Sequence, residues 1–198
     1  MNEYSKLDDE MMEIDKLIAN CKKCELWKTR KNIVIGSGSF NAKIMFIGEA
    51  PGYHEDLLGI PFVGRAGKFF DELLKSINLN REETYICNIL KCRPPDNRNP
   101  SNFEIEKCTP YLDRQIMEIK PEIIVTLGNF PSNYVLNKFG FKPEKIGRIH
   151  GKKYPIKNLL FDSVIIPMYH PAAAVYNPNM KKILLEDFKT IEKILSDK

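Results

Sequence analysis

The sequence has no apolar run approaching the ~20 residues needed to cross a bilayer. Its opening stretch, MNEYSKLDDEMMEIDKLIAN, is acidic and amphipathic and lacks the apolar core of a signal peptide. A cytoplasmic protein is therefore expected, with no membrane partner. Internal repeats and low-complexity tracts are absent as well, and 198 residues suit a single domain spanning 1–198. Neither sign of charge is scarce: 30 Lys and Arg stand against 26 Asp and Glu. The resulting net charge of +4 fits a polyanionic partner without demanding one. No G-x-x-x-x-G-K-[ST] loop is present. The nearest approaches are Gly36–Ser39 (GSGS), which precedes its strand, and Gly64–Lys68 (GRAGK), so a small-molecule nucleotide hydrolase ranks last among the readings.

Apolar residues make up 43% of the chain, enough for a substantial core. Four short runs rich in β-branched residues stand out: Lys43–Gly48, Thr84–Leu90, Glu122–Gly128 and Ser163–Tyr169. Helical patterns alternate with them. Phe69, Phe70, Leu73, Leu74 and Ile77 recur at helical spacing. A capping box from Ser101 to Glu104 opens a stripe through Ile105, Cys108, Leu112, Ile116 and Ile119. Asn129–Phe139 and Met180–Leu195 read as further helices. Strands alternating with helices, and strands apolar throughout, imply an α/β fold with a mostly parallel four-stranded sheet covered on both faces. Ligands in such sheets bind beyond the carboxyl ends of the strands. There the sequence places Glu49-Ala-Pro-Gly52, Asn88 with KCRPP, and Tyr169-His170-Pro171.

Five cysteines in a reducing compartment point to metal ligation or burial before disulfides. Cys87 lies within a strand and should face the core. Cys21 and Cys24 form a C-x-x-C after an acidic helix, which is not the strand-to-helix setting of a redox pair. Together with Cys92 and Cys108 they make four thiolates, a set accepted by a structural zinc or by an iron–sulfur cubane alike.

In order and spacing, CKKC, GEAPG (Gly48–Gly52), PFVGRAG (Pro61–Gly67), NILKCRPP (Asn88–Pro95), Cys108, TLG and YHPAA (Tyr169–Ala173) resemble the family 4 uracil-DNA glycosylases over roughly Cys21 to Pro178. The resemblance implies a three-layer αβα sandwich and a structural [4Fe–4S] cluster on Cys21, Cys24, Cys92 and Cys108. It also implies a monomer acting on uracil-containing DNA, single- or double-stranded, at the nucleoid, with a sliding clamp as a further partner. His170 is then the donor to the uracil O2 as negative charge develops there. Asn88 reads O4 and N3–H, which cytosine presents in reverse. Phe62 stacks on the everted base, the Gly48 and Gly52 backbone closes the pocket, and Glu55 crowds the 5-position against thymine.

Glu49 carries over as the acidic residue of the first motif, organising water, sugar or pocket. The position after it is Ala50, where family 1 enzymes have a water-positioning Asp, so catalysis leans on leaving-group stabilisation. Val175 and Tyr176 fall in the segment that wedges into DNA, and Tyr176 stands where the family commonly has Arg. Lys91, Arg93, Arg98, Arg148, Lys152 and Lys153 are candidates for a phosphate-contacting rim. His150 in RIHG is expected to be a surface histidine. A non-catalytic DNA-binding relative is the main rival reading.

Overall fold

The computed structural model describes residues 3–157 and 159–196. The sheet has six strands: β1 (Ser37–Gly38), β2 (Ile44–Gly48), β3 (Thr84–Asn88), β4 (Ile123–Leu127), β5 (Tyr154–Lys157) and β6 (Asp162–Met168), in the order β1-β3-β2-β4-β6-β5. The central four are parallel, and β1 and β5 pair antiparallel at the two edges. The four-stranded expectation is thus corrected to six. The parallel core announces itself because β2, β3 and β4 are buried along their whole length. The edge strands do not: β1 is two residues long, and β5 carries Pro155 with most of its residues at least partly exposed, as suits an edge.

Among the described residues seven α-helices accompany the sheet: α1 (Glu3–Ala19), α2 (Tyr53–Leu58), α3 (Arg65–Lys75), α4 (Asn102–Ile119), α5 (Asn129–Lys138), α6 (Ile146–Ile149) and α7 (Pro178–Ser196). Alternation along the strands divides the core in two. Met45, Ile47, Tyr85, Cys87 and Ile124 pack under α1, α4 and α5, while Ile44, Phe46, Ile86 and Val125 pack against α3 and α7. Helices therefore cover both faces of the sheet. Cys87 faces the first of these cores, fully buried. The capping box at the start of α4 is formed in both directions: the Ser101 side chain accepts from the Glu104 N–H, and the Glu104 carboxylate accepts from the Ser101 N–H. Among the described residues no helix is long and apolar enough to cross a membrane.

On the second face Phe188 of α7 lies stacked on Phe46 of β2 at 5.8 Å, and Phe70 of α3 meets Phe46 edge-on at 5.0 Å. Removing the fully buried Phe188 ring by Phe188→Ala should lower stability by about 3–5 kcal/mol. Ser101→Ala, which loses only a cap, should cost about 1 kcal/mol. Denaturant unfolding of the two variants measures both, and equal losses would contradict this account of the core.

Candidate active site

The carboxyl ends of β2, β3 and β6 open onto one cavity of about 410 Å³. Its walls include Glu49, Ala50, Pro51, Gly52, Glu55, Phe62, Asn88 and His170. The sequence-derived pocket residues are therefore brought together, Gly48 included, since its Cα lies against Asn88 and Phe62. Ala66, Pro94 and Ala172, which lie within the quoted motifs but were given no role, also line it, as does Asn97, which lies outside them.

Asn88 is the last residue of β3 and pairs with Gly48. Its side chain is 2% exposed and makes no hydrogen bond to any described residue, so a free amide faces the cavity. A Cβ at Gly48 would sit 2.4 Å from Asn88 Oδ1 and 2.8 Å from Phe62 Cζ. Glycine there is required by close approach.

Phe62 has φ 55°, a left-handed backbone unusual for an aromatic residue. Such a conformation costs about 1–3 kcal/mol and persists only where surroundings enforce it. Three contacts do so. The Arg81 guanidinium donates to the carbonyls of Pro61 (2.9 Å) and Phe62 and is itself held by Asp71 at 2.6 Å. Glu55 Oε1 accepts from the N–H groups of Val63 and Gly64, both at 2.9 Å. Gly67 leaves room for the Phe62 carbonyl, which a Cβ would approach to 1.8 Å. The ring so placed lies nearly parallel to the His170 imidazole, 5.5 Å away and tilted by 22°. Arg81 was not foreseen; nothing in NREET marks it.

His170 caps a short 3-10 turn (Pro171–Ala174). Pro171 has no N–H to offer, and the Ala172 N–H donates to His170 Nδ1 at 3.1 Å. That bond fixes the tautomer: in the neutral ring the proton sits on Nε2. Burial lowers the His170 pKa from 6.5 to about 4, against the opposing pull of the Glu55 carboxylate. At neutral pH the residue is an uncharged N–H donor.

The two carboxylates of the cavity differ. Glu55 is engaged at Oε1 with the 63–64 backbone, which leaves its Oε2, beside Gly52, and its side-chain carbons facing the pocket. The Glu49 carboxylate accepts no hydrogen bond from a described residue, and burial raises its pKa above the usual value. At the rim Tyr176 is 78% exposed, and the Arg65 guanidinium lies 5.7 Å over its ring and donates to its hydroxyl. An arginine from α3 thus stands beside Tyr176, in the segment expected to wedge into DNA. Val175 is half-buried behind it.

Two assignments change. Lys91 is 1% exposed and belongs to the interior, not the rim. His150 is not a free surface histidine: its Nδ1 lies 2.9 Å from the Asp187 carboxylate, and its ring packs on Tyr169 at 4.8 Å. Of the remaining rim candidates, Arg98 is paired with Glu104 and borders the cavity, and Arg93 lies over Tyr53 at 5.3 Å. Arg148, Lys152 and Lys153 are exposed and do not line the cavity.

Below the loop after β3, Cys21, Cys24, Cys92 and Cys108 line a second, apolar cavity with Leu26, Trp27, Leu90 and Tyr111. Two of the sulfurs accept N–H donors: Arg30 donates to Cys92 Sγ at 3.1 Å, and the Lys91 amide to Cys108 Sγ at 3.3 Å. Burial pushes the Cys24 and Cys92 thiols up and Cys108 to about 12. Among the described residues no three His, Cys, Asp or Glu side chains converge as they would on a single metal ion.

A family model, the uracil DNA glycosylase superfamily, matches residues 35–195. Proteins named type-4 uracil-DNA glycosylase are similar over nearly the whole chain. That of Saccharolobus solfataricus is 50% identical over 91% of this chain and 84% of its own. That of Archaeoglobus fulgidus is 46% identical over 97% and 94%, and that of Thermotoga maritima 39% identical over 91% and 93%. With the strand-end cavity and its Asn88 and His170 in place, the chain belongs to the type-4 uracil-DNA glycosylases of the uracil DNA glycosylase superfamily.

Proposed function

We propose that this protein excises uracil from DNA in base excision repair, hydrolysing the bond between N1 and the deoxyribose C1′ and leaving an abasic site. The observation that carries the reading is a free Asn88 amide and a neutral His170 N–H donor facing one cavity across the Phe62 ring. The target nucleotide must leave the stack to reach such a pocket. Phe62 offers its face to the everted base. The Asn88 amide donates to O4 and accepts from N3–H, a pairing that cytosine reverses. Glu55 Oε2 and its carbons stand as the barrier to a 5-methyl group.

As the glycosidic bond breaks, its electron pair passes to the base and the sugar takes on oxocarbenium character. His170 Nε2–H stabilises the charge gathering on O2. Water then adds at C1′, and the proton it gives up passes through solvent to the departed uracil anion. Glu49, with its carboxylate free of protein donors, orients that water or the sugar. Tyr176, steadied by Arg65, and Val175 fill the gap left in the helix, and Arg93 and Arg98 contact phosphate. The protein works in this reading as a monomer on the cytoplasmic nucleoid, on single- or double-stranded DNA, with a sliding clamp as a further partner.

The four-cysteine cavity is read as the seat of a [4Fe–4S] cluster, as the family resemblance implies; its sulfurs share one apolar cavity, and those of Cys92 and Cys108 accept N–H donors. Such a cluster supplies a structural tie between the turn after α1 and the loop after β3.

The purified protein should be brown, hold about four irons per chain, and release free uracil from a single-U oligonucleotide without added divalent metal. An oligonucleotide left intact by iron-loaded protein would favour the non-catalytic DNA-binding reading, and a colourless zinc protein would defeat the cluster. His170→Ala should slow single-turnover release by roughly 10²–10³-fold with DNA affinity nearly unchanged. Asn88→Asp should erode the preference for U over C.

Acid stability offers a further check. The folded His170 pKa, about 4, lies below the ordinary 6.5. Between those values the unfolded chain binds the proton first, so this residue's contribution is complete above 6.5 and drains away as pH falls toward 4. His170→Gln should therefore lose less stability than the parent across that window. Parallel melting curves against pH would count against a neutral His170.

A further inference from the structure

Lysine is rarely buried without strong reason, because taking its charge out of water costs several kcal/mol unless the partners are well placed. Lys91 is nonetheless 1% exposed, three residues beyond Asn88 and directly before Cys92. Its ammonium donates to the Asn88 carbonyl at 2.9 Å and to Gln115 Oε1 at 2.8 Å. Gln115, on α4, in turn donates to the Tyr85 hydroxyl at 3.0 Å.

Strand geometry explains why the Asn88 carbonyl needs such a partner. On the β1 side of β3 the ladder uses alternate residues; Ser39 N–H, for one, donates to the Thr84 carbonyl at 3.0 Å. β1 pairs only with Tyr85 and Ile86, so the edge partner is gone by the time the strand reaches Asn88. An unpaired buried carbonyl there would forfeit its hydration without recompense and leave the last peptide of β3 free to rotate. Lys91 closes that gap from below. Its own backbone is fixed at both ends, the N–H on Cys108 Sγ at 3.3 Å and the carbonyl on the Val34 N–H at 2.9 Å.

We propose that Lys91 is a positioning residue that ties the four-cysteine site to the base-reading pocket, its ammonium fixing the Asn88 peptide while its amide holds the Cys108 sulfur. The inference rests on the reading of Asn88 as the uracil reader and of the cysteines as cluster ligands. A rotation of the Asn88 peptide swings the amide that must meet O4 and N3–H together, so Lys91 governs recognition of the base and not the hold on the DNA backbone.

Lys91→Met keeps most of the side-chain volume and removes the charge and both bonds. In iron-loaded Lys91→Met, the inhibition constant for free uracil should rise roughly tenfold. Affinity for a duplex with an abasic site should stay within about twofold. A residue that served stability alone would lower the melting temperature and leave the uracil constant of the iron-loaded fraction where it was; that result overturns the proposal. Gln115→Leu retains the ammonium but removes one acceptor and should shift the uracil constant the same way by a smaller factor. If Lys91→Met yields no folded protein, an unchanged constant in Gln115→Leu is the overturning result. Asn88→Asp in the same assay separates the two levels. If it weakens uracil binding and the Lys91 and Gln115 variants do not, the link fails while the pocket stands. If Asn88→Asp itself leaves uracil binding unchanged, the pocket reading fails first.

Discussion

The parallel pairing of Gly48 with Asn88 is the constraint on which the rest of the site depends. It sets the ends of two neighbouring strands level, so that a side chain from one projects over the bare backbone of the other. Only the missing Cβ at Gly48 allows the Asn88 amide and the Phe62 ring to occupy the same few ångströms. From that crowding follow the free amide and the close seating of the ring beside it, both on the wall of one cavity. A slip of one residue would turn Asn88 to the opposite face of the sheet and dismantle the pocket.

Holding such an arrangement demands order in the surrounding shell. Phe62 sits in an unfavourable backbone region, restrained by Arg81, Glu55 and the space above Gly67. His170 is held in one tautomer by the Ala172 amide. Arg81, the Glu55 Oε1 and the His170 Nδ1 spend their hydrogen-bonding capacity on the protein, while Asn88, Glu49 and the His170 Nε2–H keep theirs for something else. That division of labour among polar groups separates the reacting surface from its scaffold more clearly than burial does.

Much of this was legible in the chain itself. The four parallel strands and the long helices declared themselves through uninterrupted apolar runs and helical stripes, and the capping box at Ser101 marked the start of α4 to the residue. The pocket was legible because its members sit at strand ends in motifs whose order resembles one family. What escaped notice did so for physical reasons. A two-residue edge strand and one containing Pro155 have too little periodicity to register. Arg81 acts on carbonyls far away in sequence, so no local pattern betrays it. Lys91 was misplaced because charge argues for solvent, and only the end of β1 short of Asn88 reveals why a cation belongs inside. His150 likewise gained its partner, Asp187, from a helix that arrives last in the chain.

The four cysteines carry a consequence for how the chain is made. Two lie before the first strand and two lie beyond the third, so both halves of the set are present only after the ribosome has delivered the beginning of α4. Until then the leading pair is an open thiol couple on a nascent segment with nothing to close against. Loading of a four-thiolate cluster would therefore be a late event, and once complete it would staple a long loop shut, removing from the unfolded chain the freedom that a cross-link of that span denies it.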